Sequence, residues 1–202
     1  YRPGEPWRKP ARSASIVLAT DDDVLVCLHA SEVELLDRER PQVFELRRRL
    51  GPDVLAEAPR GELVARRARS FLAPDAPLAD LLLDQRVACG IGNVYKSEVL
   101  FLEHLHPSTA WHDLDEDALE RLYGTAHRLL RTNLGGGPRV TRRGSGADGR
   151  LWVYRRAGLP CHECSTPIVT ARLGRGLRSS YWCPRCQTAR PHAASERAGL
   201  LT

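Results

Sequence analysis

The 202-residue sequence contains no methionine, only two lysines among its thirty basic residues, and few aromatic residues (6%). It has no apolar run near the roughly 20 residues that a transmembrane helix needs, and no charged-then-apolar segment opens it. These absences exclude a transmembrane helix and a secretory signal from these 202 residues. Because the sequence starts at Tyr1 and lacks methionine, we expect it to be a processed product or an internal fragment.

The composition is that of a soluble globular chain, with 42% hydrophobic and 27% charged residues. The net charge of +5 is unevenly distributed, because residues 133–202 carry twelve basic and only three acidic side chains. A C-terminal third this basic predicts a polyanionic partner. The preference for arginine suits bidentate phosphate contacts, but composition alone favours genomic base composition as its cause.

Four cysteines form two pairs, in the pattern C-x2-C-x18-C-x2-C. Two residues between paired thiolates let both reach one ion, and a closed set of four cysteines is typical of structural zinc. Two disulfides or a redox pair are the alternatives, but redox pairs normally stand singly beside a βαβ unit, which is absent here. The sequence therefore predicts one structural zinc ion, and its four ligands are Cys161, Cys164, Cys183 and Cys186.

The other two cysteines, Cys27 and Cys89, stand alone in apolar surroundings and are expected to be core thiols. Six cysteines in a chain of this length do not resemble a small secreted disulfide scaffold. A reducing compartment, the cytoplasm, is the expected location.

The eighteen residues between the cysteine pairs suit a β-hairpin. PIVTARL and LRSSYW are β-prone arms, and Gly174-Arg175-Gly176 forms the bend. About forty residues cannot hold a large core, so the metal would supply the missing folding energy. We interpret the hairpin as a rigid mount that presents arginines to a nucleic-acid backbone; a structural cap with solvated arginines is the alternative.

Upstream, the hydrophobic pattern changes from strands to helices. SIVLAT and VLVCLH flank the acidic turn 21–23, and VELL at 33–36 predicts a third strand of an incomplete sheet. From about residue 42, VFELRRRL, ELVARRARSFL and PLADLLLDQRVA predict helices, followed by helices over about 93–103 and 115–132. The Gly- and Arg-rich stretch 133–149 predicts a flexible connector.

The segment GIGNVY, residues 90–95, does not fit a dinucleotide loop. A helix precedes it, and Tyr95 occupies the third glycine position. Gly90 and Gly92 permit a tight turn and close backbone approach. Asn93 follows where a helix begins, and the free N–H groups of that helix start suit one phosphate. The residues alone leave open an ordinary helix–turn–helix corner with Asn93 as its cap.

Together, LLDQRVACGIGNVYKSEVLFLEHLHP (82–107) and LRSSYWCPRCQ (177–187) resemble the formamidopyrimidine-DNA glycosylase / endonuclease VIII family. That family places a helix–two-turn–helix motif before a four-cysteine zinc finger. The resemblance implies an α+β multidomain fold: a partial β-sandwich remnant, a helical bundle and a zinc-finger hairpin. The implied domains are 1–45 (sandwich), 46–135 (helical), 136–152 (linker), 153–190 (finger) and 191–202 (tail).

The resemblance also implies roles for residues at matching positions. Asn93 corresponds to the motif asparagine that grips DNA phosphate beside the lesion, and Arg178 corresponds to the finger arginine that does so from the other side. Lys96 and Arg175 are added as phosphate neighbours on charge and placement only. The implied partner is duplex DNA with a damaged base or an abasic site, and the family precedent is a monomer.

The family's catalytic start has no match in this sequence. Its enzymes attack the damaged nucleotide with an N-terminal proline amine beside a glutamate, whereas Tyr1 is followed by Arg2 and the nitrogen of Pro3 is a tertiary amide. We therefore name no catalytic residue and expect the chain to carry the DNA-binding part of a bifunctional glycosylase/AP lyase. A non-catalytic damaged-DNA-binding protein and an RNA- or ribosome-associated zinc ribbon are the alternatives.

One feature favours a branch of the family. The Arg-Phe-Gly loop of the 8-oxoguanine branch is not found, and VELLDRERPQVFELRRRL occupies that region. This favours the endonuclease VIII branch and oxidised pyrimidines.

Borohydride trapping tests the missing amine. Because no free proline amine is available to form a Schiff base, the 202-residue chain should form no covalent complex with abasic DNA under borohydride. A version extended upstream to begin with Pro-Glu should form one. Cross-linking by the 202-residue chain would show that another amine attacks.

Overall fold

The structure, a computed structural model, describes residues 1–30, 33, 49–135, 137–142 and 149–188. The chain divides into two compact units, Tyr1–Arg47 and Arg48–Thr202. Each unit is built from its own elements, and the second holds all four cysteines of the predicted metal site.

The first unit is a two-stranded antiparallel hairpin preceded by a short 3₁₀ turn at Ala11–Ser13. Strands β1 (Ala14–Ala19) and β2 (Val24–Leu28) flank the predicted acidic turn, which the Thr20 side chain closes by accepting a hydrogen bond from the Asp23 amide at 3.0 Å. The predicted third strand lies almost entirely outside the described residues.

Both faces of this hairpin are partly open, and Cys27 on β2 is exposed. The prediction that Cys27 is a core thiol is therefore wrong for the part of the chain that the structure describes, because two strands alone do not enclose a core. Cys89, in the second unit, is half-buried.

Four helices lie in the described part of the second unit from residue 50 onward: α1 (Gly61–Phe71), α2 (Leu78–Leu83), α3 (Asn93–Leu102) and α4 (Glu116–Thr132). A 3₁₀ turn at Trp111–Asp113 separates the last two. These confirm the helices predicted from residue 62 onward; the one predicted over 43–50 falls outside the described range except at its end. No helix within the described ranges is long and apolar enough to cross a membrane.

Helix α2 is shorter than the twelve-residue segment PLADLLLDQRVA predicted. It ends at Leu83 because Asp84 adopts an extended conformation and its carboxylate accepts a hydrogen bond from the Arg86 amide at 2.9 Å. An aspartate that bonds two residues ahead competes with the helix and starts a turn. Residues 84–92 therefore form the connection that carries the two glycines before α3.

Helix α4 starts as its sequence predicts. Asp115 is the N-cap residue, and its carboxylate accepts a hydrogen bond from the Ala118 amide at 2.7 Å. The apolar face of the helix packs into the main core, where Leu119, Leu122 and Ala126 are buried. This core holds the other helices around α3.

Helix α3 is the central element, since every residue from Tyr95 to Phe101 is buried, including three polar ones. The carboxylate of Glu98 accepts hydrogen bonds from the amides of Trp152, Val153 and Tyr154 at 2.7–2.9 Å and from the Thr141 hydroxyl. A fully buried carboxylate is tolerated because these donors replace its water. Glu98 thereby fixes the chain that leads into the C-terminal module.

The C-terminal module is a hairpin of β3 (Val169–Leu173) and β4 (Arg178–Trp182), paired antiparallel. The strands match the predicted arms within two residues. A second small core, separate from the main one, contains Phe101 of α3 together with Val153, Cys161, Ile168 and Cys183. The module therefore shares its core with α3.

The Glu98 carboxylate provides a stability test. Glu98→Gln puts an amide N–H₂ in place of one acceptor oxygen opposite the converging backbone N–H groups, so we expect a loss of about 3 kcal/mol in unfolding free energy. Urea unfolding measures it. Glu57→Gln, at an exposed position outside the helices, is the control and should change stability by less than about 0.5 kcal/mol. Equal midpoints for the two variants would contradict this account of α3.

Candidate nucleic-acid interface

The turn before α3 is shaped by Gly90 and braced by Gln85. Gly90 has a positive φ of 106°, a conformation that glycine adopts without strain. The Gln85 side chain accepts a hydrogen bond from the Gly90 amide at 3.0 Å and donates one to the Ile91 carbonyl at 3.1 Å. The two-turn segment is therefore held by a side chain that the sequence analysis did not single out.

Asn93 is the first residue of α3 and does not cap it. The N-cap is Gly92, which has no side-chain cap, so the interpretation of Asn93 as a cap is wrong. Its side-chain amide points to the C-terminal module instead and donates from Nδ2 to the Ser179 carbonyl at 3.0 Å. The first-turn N–H groups of a helix have no intrahelical acceptors, so the amide stands beside a cluster of main-chain donors.

Lys96 lies one turn further along α3 and is fully buried. Its Nζ donates to Asn93 Oδ1 at 2.7 Å, to the Ser179 carbonyl at 3.1 Å and to Ser180 Oγ at 2.8 Å. All three ammonium hydrogens are thus used inside the protein. Burial lowers the pKa of Lys96 to about 8, opposed by the charge of Asp80 and assisted by that of Arg178.

Arg178 opens β4, is exposed, and directly precedes the Ser179 carbonyl that Asn93 and Lys96 both contact. The structure therefore brings Asn93, Lys96 and Arg178 together, although Arg178 lies 82 or more residues after the other two in sequence. The sequence suggested that Lys96 is a phosphate neighbour. Because the structure buries Lys96, a supporting position behind Asn93 fits better.

The hairpin turn is fixed to α2. Both carboxylate oxygens of Asp80 accept from the Arg175 amide, at 3.0 and 3.1 Å. Gly174 has a positive φ of 73°, and a Cβ there would lie 1.9 Å from Asp80 Oδ1. Only glycine allows the turn to approach the helix this closely. The Arg175 side chain remains exposed, near Arg178.

The four cysteine thiols converge as predicted. Their Sγ atoms all lie within 4.8 Å of one another, and no disulfide joins them. Sulfurs bound to one tetrahedral zinc ion stand about 3.8 Å apart, close to the distances of 3.4 and 3.9 Å found here for Cys164–Cys183 and Cys161–Cys186. The donor set therefore fits zinc.

The surroundings of the thiols shift their pKa values in both directions. Hydrogen bonds from Thr166 lower the pKa of the Cys164 thiol to about 6, while burial raises the pKa of the Cys183 and Cys186 thiols. Gln187 is buried and accepts from the Cys183 amide at 2.9 Å while donating to the Leu105 carbonyl at 2.8 Å. The metal site is thus tied to the loop after α3.

A basic cavity of about 500 Å³ lies beside the start of α3 and was not anticipated from the sequence. Val94 lines it together with three arginines from residues 139–155, and Tyr154 adds an aromatic ring. The excess of arginine in residues 133–202 was the only signal, because the sequence does not show which of these side chains fold back onto α3. The three arginines are Arg139, Arg150 and Arg155.

Comparison with known proteins agrees with this geometry. Residues 50–143 match the model of the formamidopyrimidine-DNA glycosylase H2TH domain, and residues 158–189 match that of the zinc finger found in FPG and IleRS. Both segments of the described interface, around Asn93 and around Arg178, fall inside these matches.

Similar proteins extend the likeness along the chain. A probable endonuclease 8 2 of Streptomyces coelicolor is 35% identical, over 99% of this chain and 71% of its own length. The DNA-(apurinic or apyrimidinic site) lyase Nei2 of Mycolicibacterium smegmatis is 41% identical, over 86% of this chain and 66% of its own length. The chain thus spans about two thirds of these relatives.

A solved structure supports the fold. The Fpg of Lactococcus lactis, in a complex with DNA that contains an abasic site, superposes with a TM-score of 0.67 at 22% identity, covering 92% of this chain and 69% of that one. Two family models, relatives over nearly the full chain and a shared fold agree. The chain belongs to the formamidopyrimidine-DNA glycosylase / endonuclease VIII family.

Proposed function

We propose that this chain is the DNA-binding part of a base-excision repair enzyme, which removes oxidised bases and cleaves the strand at the abasic site that results. The relatives named above are an endonuclease 8 and an AP lyase, and the Lactococcus lactis protein holds abasic-site DNA. The observation that carries the proposal is the hydrogen bond from Asn93 to the Ser179 carbonyl, because it joins the helix start to the finger arginine.

Asn93 and Arg178 would grip the backbone of the damaged strand on either side of the lesion. Asn93 contributes an amide beside the free N–H groups of a helix start, and Arg178 contributes a guanidinium whose planar fork suits phosphate oxygens. A duplex held by two fixed points on one strand can be bent between them. Bending lowers the free energy required to extrude a damaged base.

Other arginines would extend this contact. Arg175 is exposed on the turn next to Arg178, and the described lining of the cavity beside Val94 includes three arginines. These positions would attract the backbone without reading sequence, as expected for an enzyme that searches long stretches of DNA. We propose Arg175 as a backbone contact and Lys96 as part of the same interface.

The lesion we propose is an oxidised pyrimidine. The Arg-Phe-Gly loop of the 8-oxoguanine branch has no match in the sequence, and two similar proteins carry endonuclease VIII-type names. The non-catalytic alternative has no observation that favours it over the enzyme. We further propose that the protein acts as a monomer in the bacterial cytoplasm.

The four cysteines would bind one structural zinc ion. A closed Cys₄ set leaves no open coordination position, so the ion's contribution is folding free energy and not chemistry. Among the described residues, the finger core has five buried members, and one of them, Phe101, belongs to α3. The metal would keep the hairpin, and with it Arg178, in a fixed position.

Loss of one ligand tests the metal site. Cys164→Ser should lose zinc and unfold the hairpin while the helices remain, so far-UV helicity should persist while abasic-DNA binding is lost. Metal analysis measures the loss of zinc. Tryptophan fluorescence, to which Trp182 of β4 contributes, measures the unfolding of the hairpin. Cys27→Ser, at an exposed thiol outside the cluster, is the control and should retain zinc. A folded, zinc-free Cys164→Ser hairpin would contradict the structural role.

Loss of the finger arginine tests the DNA contact. Arg178→Gln should weaken binding to abasic duplex by about tenfold and reduce the salt slope of log K by about 1, because one counterion-releasing contact is lost. Zinc content and the unfolding midpoint should not change. Arg121→Gln removes one positive charge from the exposed side of α4 and serves as the matched control.

Competition among nucleic acids, at one stated salt concentration, tests the proposal as a whole. The wild-type chain should prefer abasic duplex to undamaged duplex and to RNA. Equal affinity for RNA would favour the zinc-ribbon alternative. Equal effects of Arg178→Gln and Arg121→Gln on affinity and slope would contradict the specific contact.

A further inference from the structure

A buried ammonium stands at the junction between the helix and the finger. Lys96 Nζ lies within hydrogen-bonding distance of three acceptors, one from its own helix and two from strand β4. The side chain is 0% exposed. A lysine that touched a phosphate would need at least one free donor directed outward, and the geometry directs all three inward.

The ammonium also determines which way the Asn93 amide faces. Because Lys96 can only donate, it requires the oxygen of the amide on its own side. Nδ2 then points to the Ser179 carbonyl and donates one hydrogen to it. Its second hydrogen makes no bond to Lys96, which has no acceptor. The same contact that holds the strand after Arg178 thus orients the donor end of Asn93.

We infer that Lys96 is a positioning residue: its ammonium holds the Asn93 amide and the β4 backbone after Arg178 in the arrangement that grips phosphate, and it does not itself touch DNA. This inference rests on the proposed function. It assigns the lysine a role different from the direct phosphate contact that its charge suggested.

Asp80 supports the same arrangement from the other end of the hairpin. It binds the Arg175 amide with both oxygens, so the turn before Arg178 is held by α2 and the strand after it by α3. Arg178 thus lies between two fixed points of its own backbone. Removing the ammonium would leave the buried Ser180 Oγ without this donor, leave Asn93 as the remaining side-chain donor to the half-buried Ser179 carbonyl, and free the strand to shift.

Lys96→Met, which keeps the length of the side chain and removes the ammonium, tests the inference in the 202-residue chain. Affinity for an abasic duplex should fall about tenfold. The salt slope of log K should stay within a few tenths of the wild-type value, because no phosphate contact is lost directly. Zinc content and the unfolding midpoint are measured alongside. Arg121→Gln remains the control for net charge.

A double-variant cycle separates positioning from general destabilisation. If Lys96 acts through Arg178, then Arg178→Gln should cost clearly less in the Lys96→Met background than its tenfold effect in the wild type. Ser180→Ala is the second variant, used if Lys96→Met does not fold, since it removes one acceptor and leaves the ammonium. It should weaken binding by a smaller factor, again with an unchanged salt slope.

The outcomes are distinguishable. A salt slope reduced by about 1 in Lys96→Met would overturn the inference in favour of a direct phosphate contact. Strictly multiplicative effects of Lys96→Met and Arg178→Gln, or unchanged affinity in Lys96→Met and Ser180→Ala, would also overturn it while the proposed function stands. A wild-type chain with no preference for abasic DNA would overturn both.

Discussion

One backbone carbonyl, that of Ser179, accepts hydrogen bonds from both Asn93 and Lys96. A carbonyl oxygen has two lone pairs, and both donors come from the first four residues of α3. This shared acceptor fixes the distance between the helix start and the strand that begins with Arg178. The proposed grip needs Asn93 and Arg178 to contact the same DNA strand, so it depends on this shared acceptor.

The finger contributes little rigidity of its own. Its hairpin strands have five residues each, and its core consists of a few apolar side chains and the cysteine thiols. It becomes rigid by attachment: Phe101 enters its core, Glu98 binds the amides before it, and Gln187 ties the cysteine cluster to the loop after α3. Arg178 is therefore positioned by α3 as much as by the metal site.

The sequence predicted this architecture where spacing alone determines structure. The cysteine spacing predicted the converging thiols, the 3.6-residue period predicted α1, α3 and α4, and GIGNVY predicted a helix start that bears Asn93. The early end of α2 was not predicted. The hydrogen bond that the Asp84 carboxylate accepts from the Arg86 amide ends the helix, although apolar residues continue beyond it in the sequence.

The inward orientation of Lys96 was not predictable, since lysine is rarely buried and two of its three acceptors lie more than eighty residues away. Asp80 was missed for the same reason, because it binds the Arg175 amide, 95 residues away. Gln85 binds backbone atoms only five and six residues ahead, but in a turn that has no periodic pattern. Such contacts between distant segments leave no periodic signal. The sequence nominated Asn93 and Arg178 for the proposed grip, and the tertiary contacts show how these two positions are held together.

Mapping of phosphate contacts tests the central claim most directly. Ethylation interference on an abasic duplex shows which phosphates the chain must contact, and comparison with Asn93→Ala and Arg178→Gln assigns each contact to a side chain. The account predicts that both variants lose interference on the damaged strand, at phosphates that flank the lesion. Loss on opposite strands, or at phosphates remote from the abasic site, would contradict a single grip built from α3 and the finger.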